Sequence, residues 1–120
     1  MSVRLDTLEK RLDEFISSVP GIEGGVVITY DGLIVARRLK PGIDEIAVAA
    51  MGAALLSVSQ RVVRELNKGQ FDNVVLTSSD GLIIVTTLTD DLLLLVITSP
   101  DAKLGLVNYE LKKLRSQILT

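Results

Sequence analysis

Hydrophobic residues along the chain recur with two different periods, one typical of helices and the other of strands. Near the N-terminus they fall at steps of three and four, which predicts an amphipathic helix over residues 3–19 that ends at Pro20-Gly21. The same spacing predicts a long middle helix that begins after an Asp44 N-cap and continues to about Lys68. A third helix is expected from Ser99-Pro100-Asp101, which combines a capping hydroxyl, a proline and an early acid.

Stretches rich in β-branched residues lie between these helices and predict five strands. Their expected bounds are residues 26–30, 33–39, 72–78, 82–88 and 92–98. Asp31-Gly32 joins the first two strands as a predicted two-residue turn of type I′, which needs positive φ angles. The last strand reads LLLLVI without alternation, so we expect both of its faces to be buried and the strand to be central.

The element order is therefore α-β-β-α-β-β-β-α, and a chain of 120 residues fits one domain. Hairpin connections make the sheet antiparallel, and a strand that is buried on both faces needs helices on both sides of the sheet. The predicted fold class is α+β. It has a five-stranded antiparallel sheet with helices on both faces, in a single domain over residues 1–120.

The middle helix is apolar nearly all round, because residues 46–58 contain no charge. A helix of this kind is usually buried all round. One face is expected to pack on the chain's own sheet and consists of Ala47, Ala50, Met51, Ala54, Leu55, Val58, Val62 and Leu66. The other face has smaller residues and is expected in a homodimer interface; it consists of Ala49, Gly52, Ala53 and Leu56. The alternative is that loops of the same domain cover this second face.

The strand that follows the middle helix offers a second contact for a homodimer. If residues 72–78 lie at the edge of the sheet, their outer backbone groups are unpaired. Pairing this strand with its symmetry mate would satisfy those groups, since a two-fold interface is self-complementary. Val74 and Leu76 are therefore expected in the dimer interface.

Composition narrows the chemistry that the chain can perform. It contains no cysteine and no histidine, which excludes thiolate nucleophiles, zinc–cysteine sites and the commonest general base. The net charge is −2 and the basic residues are dispersed, so we expect no nucleic-acid partner. The longest uncharged apolar stretch, residues 46–60, is shorter than a bilayer span, and the N-terminus lacks a signal core. We expect a cytoplasmic protein without membrane insertion, cofactor or metal.

Two motifs could carry chemistry, and each has a simpler interpretation. GIEGG, residues 21–25, lacks the Gly-Lys-Ser/Thr ending of a phosphate-binding loop and more simply leads into the first strand. Asp90-Asp91 could suggest a metal, but adjacent carboxylates in a turn more often just solvate that turn. The sequence shows no nucleophile–base pair, so we expect no enzyme.

Three polar residues of the middle helix are the candidate contacts for a partner protein. Gln60, Arg61 and Arg64 lie where this helix changes from apolar to polar. The two arginines could contact an acidic partner. Arg61 could equally form an ion pair with Glu65, four residues further along the helix.

Three stretches of the chain together form a family pattern. They read GVVITYDGLIVA, AVAAMGAALLSVSQRVVREL and SPDAKLGLVNYELKKL. They resemble the first hairpin, the alanine-rich middle helix and the last strand-to-helix segment of the roadblock family, which includes dynein light chains and bacterial gliding regulators. The resemblance covers nearly the whole chain. It implies a profilin-like five-stranded antiparallel sheet, with the middle helix on one face and the two terminal helices on the other.

The same resemblance implies how such a protein acts. Family members form dimers through the middle helix and the third strand, and they associate with Ras-like small GTPases as regulators or scaffolds. The leading expectation is a homodimeric, non-enzymatic regulator of a prokaryotic Ras-like GTPase, docked on the paired middle helices. One alternative is a passive scaffold or light-chain subunit that leaves GTP turnover unchanged. Another is a small-ligand sensor, although the few inward polar residues argue against a ligand pocket.

Overall fold

A computed structural model describes residues 4–119 of the chain, and residue 3 of the predicted first helix lies outside this range. Eight elements follow one another: α1 Leu5–Ser18, β1 Ile22–Thr29, β2 Ile34–Arg38, α2 Glu45–Glu65, β3 Asn73–Ser78, β4 Gly81–Thr87, β5 Leu92–Thr98 and α3 Leu104–Leu119. The strands form one antiparallel sheet in the order β2-β1-β5-β4-β3. The predicted fold class and element order are confirmed.

Strand β5 is the centre of the sheet, as its continuous apolar run predicts. It pairs with β1 on one side and with β4 on the other. Leu94 and Val96 face the core under α1 and α3, whereas Leu93 and Leu95 face the core under α2. The sheet is thus covered on both faces, with the terminal helices on one side and the middle helix alone on the other.

The middle helix begins where the sequence predicts. The side chain of Asp44 accepts a hydrogen bond of 3.1 Å from the backbone N–H of Ala47, which satisfies one of the free donors of the first turn. The helix ends at Glu65, and Asn67 follows with a φ of 55°. Asparagine tolerates this left-handed conformation better than most residues, so it stops the helix as expected.

The β1–β2 turn has three residues rather than the predicted two. The backbone N–H of Thr29 donates to the carbonyl of Leu33, and the N–H of Gly32 donates to the carbonyl of Thr29. Gly32 has a φ of 92°, but Asp31 does not have a positive φ, as a type I′ turn would require. The Thr29 hydroxyl donates to the Asp31 carboxylate at 2.7 Å and accepts from the N–H of Leu33. These side-chain hydrogen bonds favour the longer turn.

Two other predicted boundaries are wrong. All of the GIEGG segment except Gly21 lies within β1 rather than before it, and a Cβ at Gly24 would lie 2.6 Å from the carbonyl oxygen of Arg38. Glycine therefore allows two strands to approach closely. Helix α3 begins at Leu104, later than expected, because the Ser99 hydroxyl binds the Asp101 carboxylate at 2.6 Å instead of capping a helix. This contact stabilises a turn before the helix.

Candidate functional site

The face of α2 that packs on the sheet is the one with the small residues. Ala49 and Leu56 are only 1% and 2% exposed, and Gly52 and Ala53 are also buried. Ala49, Ala53 and Leu56 belong to the apolar core between α2 and the sheet, and Gly52 lies at the edge of this core. The sequence analysis expected these four residues in a homodimer interface, but Ala49, Ala53 and Leu56 pack against the chain's own sheet, and only Gly52 borders a hollow that opens to solvent.

Side chains that project from the sheet beneath α2 explain why a glycine lies at position 52 of this face. Ile28 and Leu95 rise from the sheet so far that a Cβ at Gly52 would lie 3.1 and 3.2 Å from their Cδ1 atoms. Contacts this short leave little space for any side chain at position 52. A larger residue fits further along the same face, since Leu56 is buried there, whereas Met51, Val58 and Val62 are exposed.

One partly exposed flank of α2, which we call the inner flank, faces β3. It consists of Val48, Met51, Leu55 and Val62, which recur at steps of three, four and seven along the helix. Met51 is 62% exposed and Val62 is 49% exposed. An apolar surface of this kind on a helix is a candidate contact site for another molecule.

An apolar hollow of about 280 Å³ separates the inner flank from the sheet and opens to solvent. It is lined by Val48, Met51, Gly52, Leu55, Leu76, Ile83, Leu95 and Ile97. The walls offer no polar side chain that could orient a small ligand. The hollow suits an apolar side chain from a second protein surface better than a polar metabolite.

Strand β3 lies at the edge of the sheet beside this hollow and pairs only with β4. The condition that the sequence analysis set for a strand contact is therefore met. Leu76 is 42% exposed, and Val74 is partly buried against the core under α2. These two of the residues expected in a dimer interface lie on an edge strand next to the inner flank.

The opposite edge of the sheet, strand β2, carries ion pairs on both faces. The Arg37 guanidinium lies 2.6 Å from the carboxylate of Glu45 on α2. The Arg38 guanidinium lies 2.6 Å from the carboxylate of Asp13 and 3.6 Å from that of Glu9, both on α1. These contacts raise the pKa of Arg38, chiefly through the hydrogen bond to Asp13. Charged side chains thus stand on both sides of the β2 edge.

A second exposed flank of α2, which we call the outer flank, faces away from β3. It consists of Ile46, Ala50, Ser57, Arg61 and Arg64, all of them exposed. The β1–β2 turn packs beside it, since a Cβ at Gly32 would lie 3.4 Å from the Cα of Ala50.

The sequence-predicted partner residues divide between two faces of α2. Arg61 and Arg64 lie on the outer flank and are exposed, whereas Gln60 lies one turn after Leu56 on the sheet-facing side and is partly buried. Within residues 4–119, neither arginine forms an ion pair, so the alternative pairing of Arg61 with Glu65 is not formed.

Two exposed apolar residues on or beside the outer flank were not predicted from the sequence as partner contacts. Leu33 in the adjacent turn is 64% exposed, and Ile46 is 82% exposed. Ile46 could have been found from the helical spacing, because it lies four residues before Ala50 and seven before Ala53, at the rim of the buried face. Leu33 could not, because its position depends on the three-residue turn.

Two titratable residues in the β1–β2 turn, Tyr30 and Asp31, have shifted pKa values. The Tyr30 hydroxyl donates to the carbonyl of Thr89 at 3.2 Å, and partial burial, followed by the charges of Asp90 and Asp91, raises the pKa of this phenol. Hydrogen bonding from Thr29 lowers the pKa of Asp31, which is fully exposed. Among the described residues, no cluster of three or more carboxylates could hold a metal ion. The apolar flank of α2 and the free edge of β3 are therefore the candidate functional surface.

Helix α2 is also long and apolar enough, by length and composition alone, to cross a membrane. It has 21 residues, and an 18-residue window within it has a mean hydropathy of 1.7. The apolar stretch counted in the sequence, residues 46–60, is shorter because it stops before Arg61. One such helix is weak evidence for a membrane span; 22% of that window is buried, and its small face packs on the sheet.

A comparison with known families identifies the fold. Residues 8–98 match the family model described as Roadblock/LC7 domain, and the chain belongs to this family. The resemblance seen in the sequence is thus confirmed. A protein of Methanocaldococcus jannaschii, described as uncharacterised, is 25% identical to the chain over 103 residues, which is 86% of this chain and 90% of that protein.

Solved structures with the same fold come from several bacteria. A Roadblock/LC7 domain from Streptomyces avermitilis is 20% identical, with a TM-score of 0.84 over 92% of this chain and 93% of its own. Myxococcus xanthus MglB is 15% identical, with a TM-score of 0.86 over 98% and 88% of the two chains. A structure described as MglB with tetrameric arrangement is 16% identical, with a TM-score of 0.83 over 95% and 86%. At these identities the likeness is one of fold.

Proposed function

We propose that this protein is a homodimeric regulator or scaffold for a prokaryotic Ras-like small GTPase. It acts by protein–protein contact, without catalytic chemistry or a cofactor of its own, in the cytoplasm. The observation that carries the proposal is the exposed apolar inner flank of α2 beside the unpaired edge of β3. Membership of the Roadblock/LC7 domain family and the fold shared with MglB support the same role.

The proposed dimer places the inner flanks of two copies against each other and pairs their β3 strands. A two-fold axis makes such an interface self-complementary, so each copy offers a hollow and an apolar helix flank to the other. Met51, at the rim of the hollow, and Leu76, on β3, are the largest exposed apolar side chains at this surface. This interface replaces the one that the sequence analysis built from the small face of α2, but it keeps Val74 and Leu76.

Assembly is tested first, by light scattering on the purified protein at micromolar concentration. The expected mass is about twice the 13.0 kDa of one chain. Met51→Glu introduces a charge at the apolar surface and is expected to give folded monomers, because the unpaired carboxylate must lose water to enter the interface. Tyr109→Glu, at an exposed position on α3, is the matched control and is expected to stay dimeric. Dimers of unchanged affinity in Met51→Glu would contradict the proposed interface.

Partner recognition is tested with the Ras-like GTPases of the source organism, each purified and loaded with GDP or with a non-hydrolysable GTP analogue. At least one is expected to bind the dimer in a calorimetric titration. GTP hydrolysis is then measured with and without the protein. Altered turnover indicates a regulator, whereas binding with unchanged turnover indicates the passive scaffold. If none of these GTPases binds, the proposed function is wrong.

A further inference from the structure

A second hollow, which we call the end hollow, lies at one end of the sheet, between the β4–β5 turn and the C-terminal half of α3. It has a volume of about 260 Å³ and is lined by Tyr30, Thr87, Leu88, Thr89, Asp90 and Arg115. None of these residues belongs to α2 or β3, so the end hollow is separate from the surface proposed for the second copy. Ligand sites usually measure about 300–1,000 Å³, and a hollow slightly below this range suits a small metabolite.

Arg115 lines the end hollow with a guanidinium group that is only partly neutralised. Its side chain is 22% exposed. Its Nε donates to the carbonyl of Thr87 at 3.0 Å, and its Nη2 donates to the hydroxyl of Thr86. Within residues 4–119, Nη1 donates to no acceptor, and the carboxylate of Asp72 lies 3.8 Å away, too far for a hydrogen bond. A half-buried cation with donors to spare favours a carboxylate, which a guanidinium binds strongly.

The opposite charge lines the same hollow. Asp90 is exposed and pairs with no cation in the part of the chain that the structure describes. Burial, followed by the charges of Asp90 and Asp91, raises the pKa of the Tyr30 phenol, so the field of Asp90 reaches this wall of the hollow. A simple anion would be repelled by Asp90, and a simple cation would be repelled by Arg115. A ligand that carries both charges satisfies both groups.

Apolar surface and a fixed turn complete the end hollow. Leu88 is 2% exposed, and the ring of Tyr30 is held by the hydrogen bond of its hydroxyl to the carbonyl of Thr89. The hydroxyl of Thr89 accepts hydrogen bonds from the N–H groups of Asp91 at 3.3 Å and Leu92 at 3.1 Å. These bonds fix the turn that carries Asp90. The two charged groups therefore stand on preformed elements beside an apolar wall, as in a typical small-molecule site.

We propose that the end hollow binds a free α-amino acid with an apolar side chain. Arg115 binds the carboxylate of the amino acid, Asp90 binds its ammonium group, and Tyr30 and Leu88 contact its side chain. The site goes beyond the proposed function and does not rest on it, because its residues take no part in the proposed dimer.

The chemistry of the ligand is tested by calorimetric titration of the purified full chain with L-leucine, for which saturable binding is expected. L-Leucinamide lacks the carboxylate, and 4-methylpentanoate lacks the ammonium group. Each is expected to bind at least about tenfold more weakly, because each leaves one charged group of the hollow without a partner. Equal binding of either analogue would overturn the proposal. So would the absence of binding by L-leucine, L-valine, L-methionine and L-phenylalanine.

The location is tested with a matched pair of variants. Asp90 and Asp91 are adjacent and exposed in the same turn, but only Asp90 lines the end hollow. Asp90→Asn is expected to weaken L-leucine binding at least about tenfold, whereas Asp91→Asn is expected to bind nearly as tightly as the wild type. Unchanged binding in Asp90→Asn, or an equal loss in both variants, would contradict the assigned site.

Arg115 needs a separate measurement, because it also holds the end of β4 and its replacement can lower stability without any ligand. L-Leucine is expected to raise the Tm of the wild type but not that of Arg115→Gln. In the wild type, L-leucine is expected to shift the amide NMR signals of residues 30, 87–91 and 115. Shifts confined to the hollow beside the inner flank would overturn the proposal, and this result needs no variant to fold. A protein that binds L-leucine but no GTPase would contradict only the proposed function.

Discussion

Ala49 and Ala50 are adjacent in α2 but face opposite environments, and they allow a matched test of how the helix is seated. Ala49 is 1% exposed in the core under α2, whereas Ala50 is exposed on the outer flank. The same change, Ala49→Glu or Ala50→Glu, adds the same side chain to the same helix. Any large difference in stability between the variants therefore comes from the direction in which each side chain points.

The expected difference follows from the chemistry of the core. A glutamate has a pKa of about 4.3 in an unfolded chain. Burial among aliphatic side chains can raise the pKa of a glutamate to about 8–9. At pH 7 the Ala49→Glu variant must therefore bind a proton to fold, which costs about 1.4 kcal/mol for each pH unit above 4.3, or about 4 kcal/mol. Overpacking adds about 1–3 kcal/mol.

This cost is a large part of the stability of an average domain, which is about 5–15 kcal/mol.

The pH dependence of this cost has a definite sign. Because the pKa of the introduced carboxyl is raised by folding, the variant is least destabilised below the unfolded value and loses stability as the pH rises towards the folded one. Lowering the pH from 7 to 5 should recover about 3 kcal/mol relative to Ala50→Glu.

Urea unfolding followed by circular dichroism measures the difference in unfolding free energy between the two variants at pH 7 and its change between pH 7 and pH 5. The measurements are made at one protein concentration, since dimerisation adds stability by mass action. Ala50→Glu is expected to unfold within about 0.5 kcal/mol of the wild type, because an exposed helical glutamate is nearly as favourable as alanine. Equal midpoints for the two variants at pH 7, or a gap that does not narrow at pH 5, would refute the seating of α2 described above.

Four smaller changes are tested by the same unfolding measurement. Gly81→Ala is expected to cost about 2–4 kcal/mol, because Gly81 has a φ of 148° and an added Cβ would overlap a carbonyl oxygen of β5. A Cβ added at Gly105 would have no atom within 4 Å, so Gly105→Ala is expected to raise the unfolding free energy by about 0.5 kcal/mol. A loss of stability at both Gly81 and Gly105 would contradict this account. Asp44→Ala should cost about 1 kcal/mol through the lost helix cap, unlike a neutral surface change. Tyr30→Phe should cost about 1 kcal/mol through its hydrogen bond to Thr89, and an unchanged midpoint would show that water replaces it.

The sequence was sufficient to predict most of the fold because the relevant signals are local. Helical and strand periods identified every element, and the unbroken apolar run of β5 identified the central strand. The same local rules failed at the start of α3. There the hydroxyl of Ser99 donates a hydrogen bond to the nearby carboxylate of Asp101 instead of capping a helix N–H. Residue preferences alone do not predict which of these two hydrogen bonds forms.

The seating of α2 could not be predicted, because both of its sides are apolar. Periodicity divides such a helix into two faces but does not say which one meets the sheet. That choice depends on how far Ile28 and Leu95 project from strands that are distant in the sequence, since their approach leaves little space for a side chain at position 52. The sequence therefore identified α2 as an apolar helix but not the face that meets the sheet, and it left the edge position of β3 as a condition, because that position depends on the order of the strands.

The ion pairs that stand on both faces of β2 also limit how far the protein can assemble. A sheet with two free edges can add copies at both ends and grow into a fibre, whereas a sheet with one free edge cannot. Arg37 and Arg38 are held by Glu45, Asp13 and Glu9, and a strand that paired with β2 would have to displace these charged groups. If β3 pairs with its symmetry mate as proposed, β2 forms both ends of the joined sheet, and its charged groups disfavour the addition of a further strand.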